Sequence, residues 1–300
     1  MALIKMVSLE EELKRNPELK TSDLDMLKEW LKKQPHLPPM SDSELVLFLH
    51  SNYYRMEPTK TTIDTFFTFR THVPEFFSNR DSVDSKGLRD IKKVVRLIPI
   101  PGTTSEGYRV LYMNLADCEP SHYVLLEGIK YCIMSLELML YTMGTSPGYV
   151  MVMDLEGTVF GHVARLSPML LKKFLFYLQE ALPIRMKGFI FTNTPSFMDL
   201  ILNMMKPFMK KELMDVLYLH QRGETLVKPC SNDLLANEQG GKAGPIDDLW
   251  AAAKMQIDEY RVWFQEEEKR NANEAARPGK AKDATDLFGV EGSFKKLDID

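Results

Sequence analysis

A chain of 300 residues with 44% hydrophobic and 27% charged residues has an ordinary globular composition, enough for one substantial core or one core plus a small helical domain. A net charge of −4 supplies no basic field for nucleic acid, and no apolar run reaches the ~20 residues that span a bilayer. The three cysteines, Cys118, Cys132 and Cys230, are odd in number and far apart, so neither a disulfide framework nor a zinc site is suggested. The opening stretch lacks the long apolar core of a signal peptide, which makes a reduced, cytoplasmic protein the expectation.

Residues 1–85 are predicted to form a helical domain with a small core of its own. Ser8-x-x-Glu11, Ser22-x-x-Asp25 and Ser41-x-x-Glu44 have the capping-box form or its aspartate variant, in which hydroxyl and carboxylate satisfy free backbone N–H groups at a helix start. Pro17, Pro35 and Pro38-Pro39 separate the helices. Leu45, Leu47, Phe48 and Leu49 make the third strongly apolar. A fourth, from Thr59, places Ile63, Phe66, Phe67 and Arg70 at helical spacing before Pro74.

From Lys86 strands alternate with helices. Arg109–Leu115, 149–155 and Met186–Thr192 read as strands, and 216–219 as a further one. One helix enters at Glu119-Pro120-Ser121 and closes at Gly144. Another takes Ser167 as its N-cap with Pro168 at its first position. The alternation implies an α/β sheet covered by helices over residues 86–270. A helix over 245–270 is predicted to pack back on the body. Residues 271–300 read as a disordered polar linker, to 286, and a tail with enough apolar content to dock.

The most informative stretch is 182–208, a strand, a turn at Asn193-Thr194-Pro195 and a helix. On a helical projection Asp199, Asn203, Lys206 and Lys210 share a sector of roughly 60°, leaving an apolar arc of about 220° where ~100° would seat a helix on a core. Such a helix is either buried on most sides or faces two apolar environments, an internal cavity and a membrane. Its four methionines favour an adaptable surface. In the second reading Phe197, Leu200, Ile201, Met204 and Phe208 face the cavity, and Met198, Leu202, Met205 and Met209 face outward.

No catalytic constellation is found. G-x-S-x-G, H-E-x-x-H and a G-x-G-x-x-G after a strand are absent, and Gly240-Gly241-Lys242 lacks the remaining residues of a phosphate loop. His36, His50, His72, His122, His162 and His220 show no close metal-ligand spacing. His162 with Asp154 reads as a structural histidine, Cys132 as a buried small hydrophobe, and Asp154-Leu155-Glu156-Gly157 as a turn. No enzyme activity, metal or cofactor is expected. What remains is an apolar inventory able to line one cavity: Phe174, Tyr177 and Leu178 on a helix, and Tyr149, Met151, Met153, Phe189 and Phe191 on strands.

Several segments in one order carry a family pattern. They are ELVLFLHSNYYRMEPT (44–59), MDLEG (153–157), SPMLLKKFLFYLQEALP (167–183), LPIRMKGFIFTNTPSFMDLILNMMKPFMKKEL (182–213) and LLANEQGG (234–241). Across residues 8–270 the chain resembles the CRAL-TRIO lipid-transfer family, in its tocopherol-transfer and retinaldehyde-binding branches. The terminal GSFKKLDID resembles tails of arthropod members. The resemblance implies an N-terminal helical domain followed by a mixed-sheet lipid-pocket domain, with the helix at 195–210 as a gate over one non-covalently bound apolar lipid. Matching positions add Met186 and, from the long central helix, Cys132, Ser135 and Leu136 to the lining. Arg185 and Lys187 match two positions of a phosphoinositide-binding patch. Asn52, Glu212, Met214 and Val216 replace other basic members, so that contact is expected to be weakened. Gln221 stands for a turn glycine and Ala236 for a proline.

The expected function is a carrier for one isoprenoid, such as a tocopherol, retinoid or carotenoid, touching membranes transiently. A second reading is a lipid-loaded sensor that binds a partner protein through the leader and tail without transferring its ligand.

Overall fold

The computed structural model describes residues 4–289 and has an α/β fold, with leading helices followed by a five-stranded mixed sheet. Helix α1 (Leu9–Arg15) opens on the predicted box, with the Ser8 hydroxyl accepting from the Glu11 N–H and the Glu11 carboxylate accepting from the Ser8 N–H, both at 3.2 Å. Helix α2 (Thr21–Leu31) departs from prediction: Lys20 holds the cap position without a side-chain bond, and Ser22 lies inside the first turn. Helix α3 (Asp42–Ser51) repeats the box with Ser41 and Glu44. Helix α4 (Met56–His72) starts ahead of Thr59, because Pro58 fits a first turn, where its missing N–H has no partner to lose. Short α5 (Pro74–Phe77) and α6 (Lys86–Val94) complete the leader.

Strand β1 (Val95–Pro99) continues directly from α6 and pairs antiparallel with β2 (Arg109–Leu115). It was not foreseen. No turn signal separates it from the preceding helix, and its proline sits at the end of an edge strand, where a missing N–H is tolerated. After a single 3-10 turn at Pro120–His122 come α7 (Leu125–Met143), β3 (Tyr149–Asp154), α8 (Phe160–Val163) and α9 (Pro168–Phe176), the last prolonged by a π turn over Tyr177–Ala181. Strand β4 (Met186–Thr192) leads to α10 (Met198–Met205), α11 (Lys211–Met214) and β5 (Leu217–Leu219). Strands β2 to β5 run parallel in sequence order. The helix predicted over 245–270 is broken at Tyr260 into α12 (Ile246–Glu259) and α13 (Arg261–Glu267).

Both sheet faces are buried, as parallel strands require. Ile98, Val110, Tyr112, Val150, Val152 and Ile190 share one face with the 226–250 segment. Leu97, Leu111, Met151, Met153, Phe189 and Phe191 share the other with α7, α9 and α10. That second cluster runs on without a break into Leu45, Phe48, Ile63, Phe66 and Phe69, so the leader has no separate core of the kind expected. The bridge is aromatic: Phe69 stacks on Phe176 at 5.7 Å and meets Tyr177 at 5.2 Å.

At this junction the carboxylate of Glu137, fully buried on α7, accepts from Arg70 at 2.6 Å, from Arg80, and from the Tyr177 hydroxyl at 2.8 Å. Burial pushes the Glu137 carboxyl up, but the two guanidinium groups outweigh it and hold the acid below its ordinary value.

Residues 271–286 are ordered, against expectation. Arg277 donates to Asp64 at 2.5 Å and to Thr68 at 2.7 Å, and Lys282 donates to Asp64 at 2.5 Å. Beyond them α14 (Ala284–Phe288) seats Phe288 against Phe176 at 5.3 Å and Phe69 at 5.8 Å. The segment is held by charge, which a hydropathy reading cannot register. The remainder of the tail, 290–300, lies outside the described residues.

Glu137→Ala is expected to cost about 3–5 kcal/mol in denaturant unfolding, because it strands two buried guanidinium groups. The acid's folded pKa is depressed, so its contribution is complete above the unfolded carboxylate value of about 4.3 and is lost as pH falls through the lower folded value. Unfolding curves taken from pH 6 downward are therefore expected to steepen below about 4.3 in the native chain and to flatten there in Glu137→Gln.

Candidate functional site: an apolar cavity beneath a short helix

Between the sheet and α7, α9 and α10 lies a cavity of about 150 Å³. Strands contribute Met113, Met151, Met153, Phe189 and Phe191, which alternate toward the same face. Helix α7 contributes Leu125, Ile129 and Cys132, spaced four and three apart on one side. Leu171 and Phe174 come from α9, and Ile201 and Met205 from α10. The segment after β3 closes one end with Leu155, Thr158, His162, Val163 and Leu166, beside Tyr123.

The acidic residue at that end is structural. One oxygen of Asp154 accepts from the Tyr112 hydroxyl at 2.7 Å, and the other from Asn193 at 2.7 Å and the Glu156 N–H at 3.0 Å. It fastens β2, β3 and the turn after β4, with three hydrogen bonds accepted by its two oxygens. The DLEG turn it begins needs its glycine: Gly157 has φ +77°, and a Cβ there would stand 2.3 Å from Cys118 Sγ. His162 does not pair with Asp154; its Nδ1 accepts from the Val159 N–H at 3.1 Å. Burial pushes the Cys132 thiol up to about 12, which keeps it protonated and unreactive. Among the described residues no cluster of three or more His, Cys, Asp or Glu could hold a metal, and no helix is long and apolar enough to cross a membrane.

Helix α10 is shorter and differently oriented than predicted. Pro195 precedes it in a turn closed by the Met198 N–H on the Pro195 carbonyl at 2.9 Å, and Lys206–Phe208 tightens into a 3-10 turn. Its buried face is Met198, Ile201, Leu202 and Met205, at i, i+3, i+4 and i+7. Three of the residues assigned outward, Met198, Leu202 and Met205, therefore point inward at 5%, 2% and 4% exposure. Leu200, assigned inward, is 46% exposed, and Phe197, Met204, Phe208 and Met209 are half-buried. The prediction failed because the projection treated thirteen positions as one regular helix. Two turns with irregular ends let packing on α9 choose the face.

Of the other predicted lining residues, Cys132, Met151, Met153, Phe174, Phe189, Phe191 and Ile201 border the cavity. Tyr177 is committed to Glu137, with Leu136 and Leu178 buried away from the cavity. Ser135 returns its hydroxyl to the Tyr131 carbonyl at 3.0 Å and borders a separate void of about 10 Å³. Tyr149 and Met186 begin their strands, at the end of the sheet away from α10. The first half of α7, Met113, and the segment 155–166 were missed. Helical spacing could have found Leu125 and Ile129, which lie seven and three residues before Cys132 on its face.

The predicted headgroup pair is also at the far end of β4, roughly 20 Å along the strand from α10. The Arg185 guanidinium lies 4.0 Å over the Tyr53 ring and donates to the His50 carbonyl, while Lys187 Nζ donates to the Tyr53 hydroxyl at 3.2 Å. Burial lowers the Arg185 pKa. The pair is turned onto the leader instead of converging on open solvent.

An aromatic and aliphatic edge lies outside the cavity instead. Phe160 is 59% exposed, Val159 47% and Leu200 46%, and Phe160 meets Phe197 edge-on at 6.1 Å.

Residues 93–241 match the family model described as CRAL/TRIO domain, and residues 16–86 the model described as Pinta-like, UBA domain. The alpha-tocopherol transfer protein-like protein of Mus musculus is 27% identical over 254 residues, spanning 83% of this chain and 73% of its own length. Clavesin-2 of Homo sapiens is 22% identical over 273 residues, spanning 86% of this chain and 83% of its own length. The crystal structure of Sfh5, at 14% identity and a TM-score of 0.54, shares the fold over 88% of this chain and 99% of its own. The helical leader, the mixed sheet and the cavity under α10 fall within these matched spans, and the chain belongs to the CRAL/TRIO family.

Proposed function

We propose that the chain binds one hydrophobic small molecule of isoprenoid character in this cavity and carries it between membranes within the cytoplasm. The observation that carries the reading is a cavity with almost wholly apolar walls, roofed by a short helix that lies beside an exposed apolar edge of Val159, Phe160 and Leu200. The name of the murine relative, alpha-tocopherol transfer protein-like, supports the ligand class.

At about 150 Å³ the cavity is smaller than the ~300–1,000 Å³ of ordinary ligand pockets, and comparable with a void that admits benzene. A ligand of about 20 carbons enters only with movement of α10 and of Met113, Met151, Met153 and Met205, whose flexible thioether chains reshape at little cost. Each buried CH₂ is worth about 0.8 kcal/mol in the pocket and a similar amount in a bilayer. Transfer is then nearly isoenergetic, and the barrier is the passage through water. An edge made of Val159, Phe160, Phe197 and Leu200 resting in the lipid surface would remove that passage. Of the tail that a sensor would use, Phe288 is buried against Phe69 and Phe176, and residues 290–300 lie outside the described residues.

Vesicle-to-vesicle transfer of α-tocopherol tests the proposal. The paired change Phe160→Asp and Leu200→Asp is expected to slow transfer about tenfold or more while leaving thermal unfolding nearly unchanged, since both side chains are exposed. An unaltered rate would remove the apolar edge from the mechanism. Met205→Asp is expected to act differently, lowering stability by about 2–4 kcal/mol through an unpaired charge in the cavity wall, as read by denaturant unfolding.

A further inference from the structure

The polar side chains of the cavity wall are Asn114 and Asp154, at the C-terminal ends of β2 and β3, with Tyr123 on the segment entering α7 and Thr158 and His162 on the segment leaving β3. Asn114 Oδ1, an acceptor without a partner among the described residues, can accept a hydrogen bond from a ligand but cannot donate one. His162 is 5% exposed. Its Nδ1 is occupied by the Val159 N–H, while Nε2 is buried with no hydrogen-bond partner among the described residues. A ring nitrogen that accepts from an amide presents its lone pair, so the one proton of the neutral ring belongs to Nε2. Burial holds the imidazole below its ordinary value, which keeps that neutral form at pH 7. Tyr123 stands edge-on to the ring at 6.0 Å. Asp154 does not take the Nε2 proton: its oxygens accept from Tyr112, Asn193 and the Glu156 N–H, and Nε2 is within hydrogen-bond reach of neither. The result is a fixed, buried N–H donor without an acceptor in the wall of an otherwise apolar cavity. A buried donor left unmade is costly, and a ligand atom that accepts from it relieves the cost.

We propose that His162 is the polar anchor of this cavity, donating from Nε2 to an oxygen at one end of an otherwise apolar ligand. The pocket thereby selects isoprenoids that end in a hydroxyl or carbonyl over hydrocarbons of the same shape. The inference rests on the carrier reading above and narrows its ligand class: unsubstituted carotene-like hydrocarbons are disfavoured. The anchor lies at the C-terminal end of β3, so the ligand's oxygen sits beneath the 155–166 segment and its apolar body runs along Met153, Phe189 and Phe174.

Binding of two matched series to the full chain tests the anchor: all-trans-retinol, all-trans-retinal and the corresponding retinoid hydrocarbon, and farnesol, farnesal and farnesene, in competition read by native mass spectrometry. The alcohol and aldehyde of at least one series are expected to bind about tenfold or more tighter than its hydrocarbon. His162→Phe is expected to abolish that preference by weakening the oxygenated members while the hydrocarbon binds as before or better. His162→Gln, which keeps a donor, is expected to restore part of it, and thermal unfolding of both variants separates lost binding from lost fold. Equal affinity across both series in the native chain, or a preference that survives His162→Phe, would overturn the anchor and leave the carrier reading standing. Failure of all six probes to bind would overturn the carrier reading and the anchor together.

Discussion

The carboxylate of Glu137 is the point on which the architecture depends. It is one member of an alternating chain of charge, Arg80, Glu137, Arg70, Glu267, Arg270 and Glu44, with Arg70 3.6 Å from Glu267, and Arg270 2.8 Å from Glu267 and 2.5 Å from Glu44. The six residues come from α3, α4, the segment after α5, α7, α13 and the turn beyond it, so one network joins the leader, the pocket domain and the C-terminal helices. An apolar cluster of equal volume could supply as much stability, because desolvating charges offsets most of their attraction. Apolar contact does not, however, specify register, and a slip of any of these helices by one turn would leave a buried charge unpaired. The aromatic faces of Phe66, Phe77 and Phe264 complete the seat, lying 4.5 to 4.9 Å from the Arg70 or Arg80 guanidinium.

That rigidity bears on the cavity because two of its walls are fastened to the same point. Helix α7 carries Glu137 just beyond Cys132, and α9 runs into Tyr177, whose hydroxyl binds Glu137. The third wall is held differently. Helix α10 has no side-chain cap, and it meets the body through Met198, Ile201, Leu202 and Met205, with Met204 partly buried beside them. Its far end is tied down: Gln179 donates to the Phe208 carbonyl at 3.0 Å and accepts from the Lys210 N–H at 2.7 Å. The turn before it is tied as well, through Asn193 to Asp154 at 2.7 Å and Thr194 to the His220 carbonyl at 3.1 Å. Between these flanks the helix is held by apolar contact, which exchanges for contact with ligand or acyl chains at small net cost. The walls and the roof are therefore held by two kinds of interaction, ionic and hydrophobic, placed on different elements, and the proposed carrier would use the second for its movement.

What was legible in the sequence was what depends on local rules. The boxes at Ser8 and Ser41, the Ser167 cap and four of the five strands were readable from spacing, and the motif order identified the family. What was not legible depends on tertiary choice. Strand β1 abuts its helix with no punctuation. The 271–286 segment is secured by Asp64, more than two hundred residues away in the chain. The inner face of α10 could not be chosen from its pattern, because nearly every position is apolar and only contact with α9 and the sheet breaks the tie. The same ambiguity hid His162. As one histidine among six it carries no signal, and its meaning arises only when the Val159 amide fixes the tautomer and the cavity surrounds the other nitrogen.

The placement of charge around the chain bears on how it meets a membrane. A basic clamp for phosphate needs several cations converging on one point with their hydrogen-bond donors free. Here Arg185 and Lys187 are spent on Tyr53 and His50, at the end of β4 opposite α10, and Lys210 and Lys211 are paired with Glu180 and Asp215. The large apolar residues left uncovered beside the roof of the cavity are Val159, Phe160 and Leu200. Charge attraction falls off over about 10 Å of ordinary saline and would draw the whole protein toward an anionic surface, without opening the cavity. Apolar insertion acts only on contact and acts on the movable wall itself, since Phe197 and Leu200 belong to the same short element as Ile201 and Met205. In the proposed carrier an edge of this kind would couple arrival at the bilayer to displacement of the roof without a headgroup to trigger it.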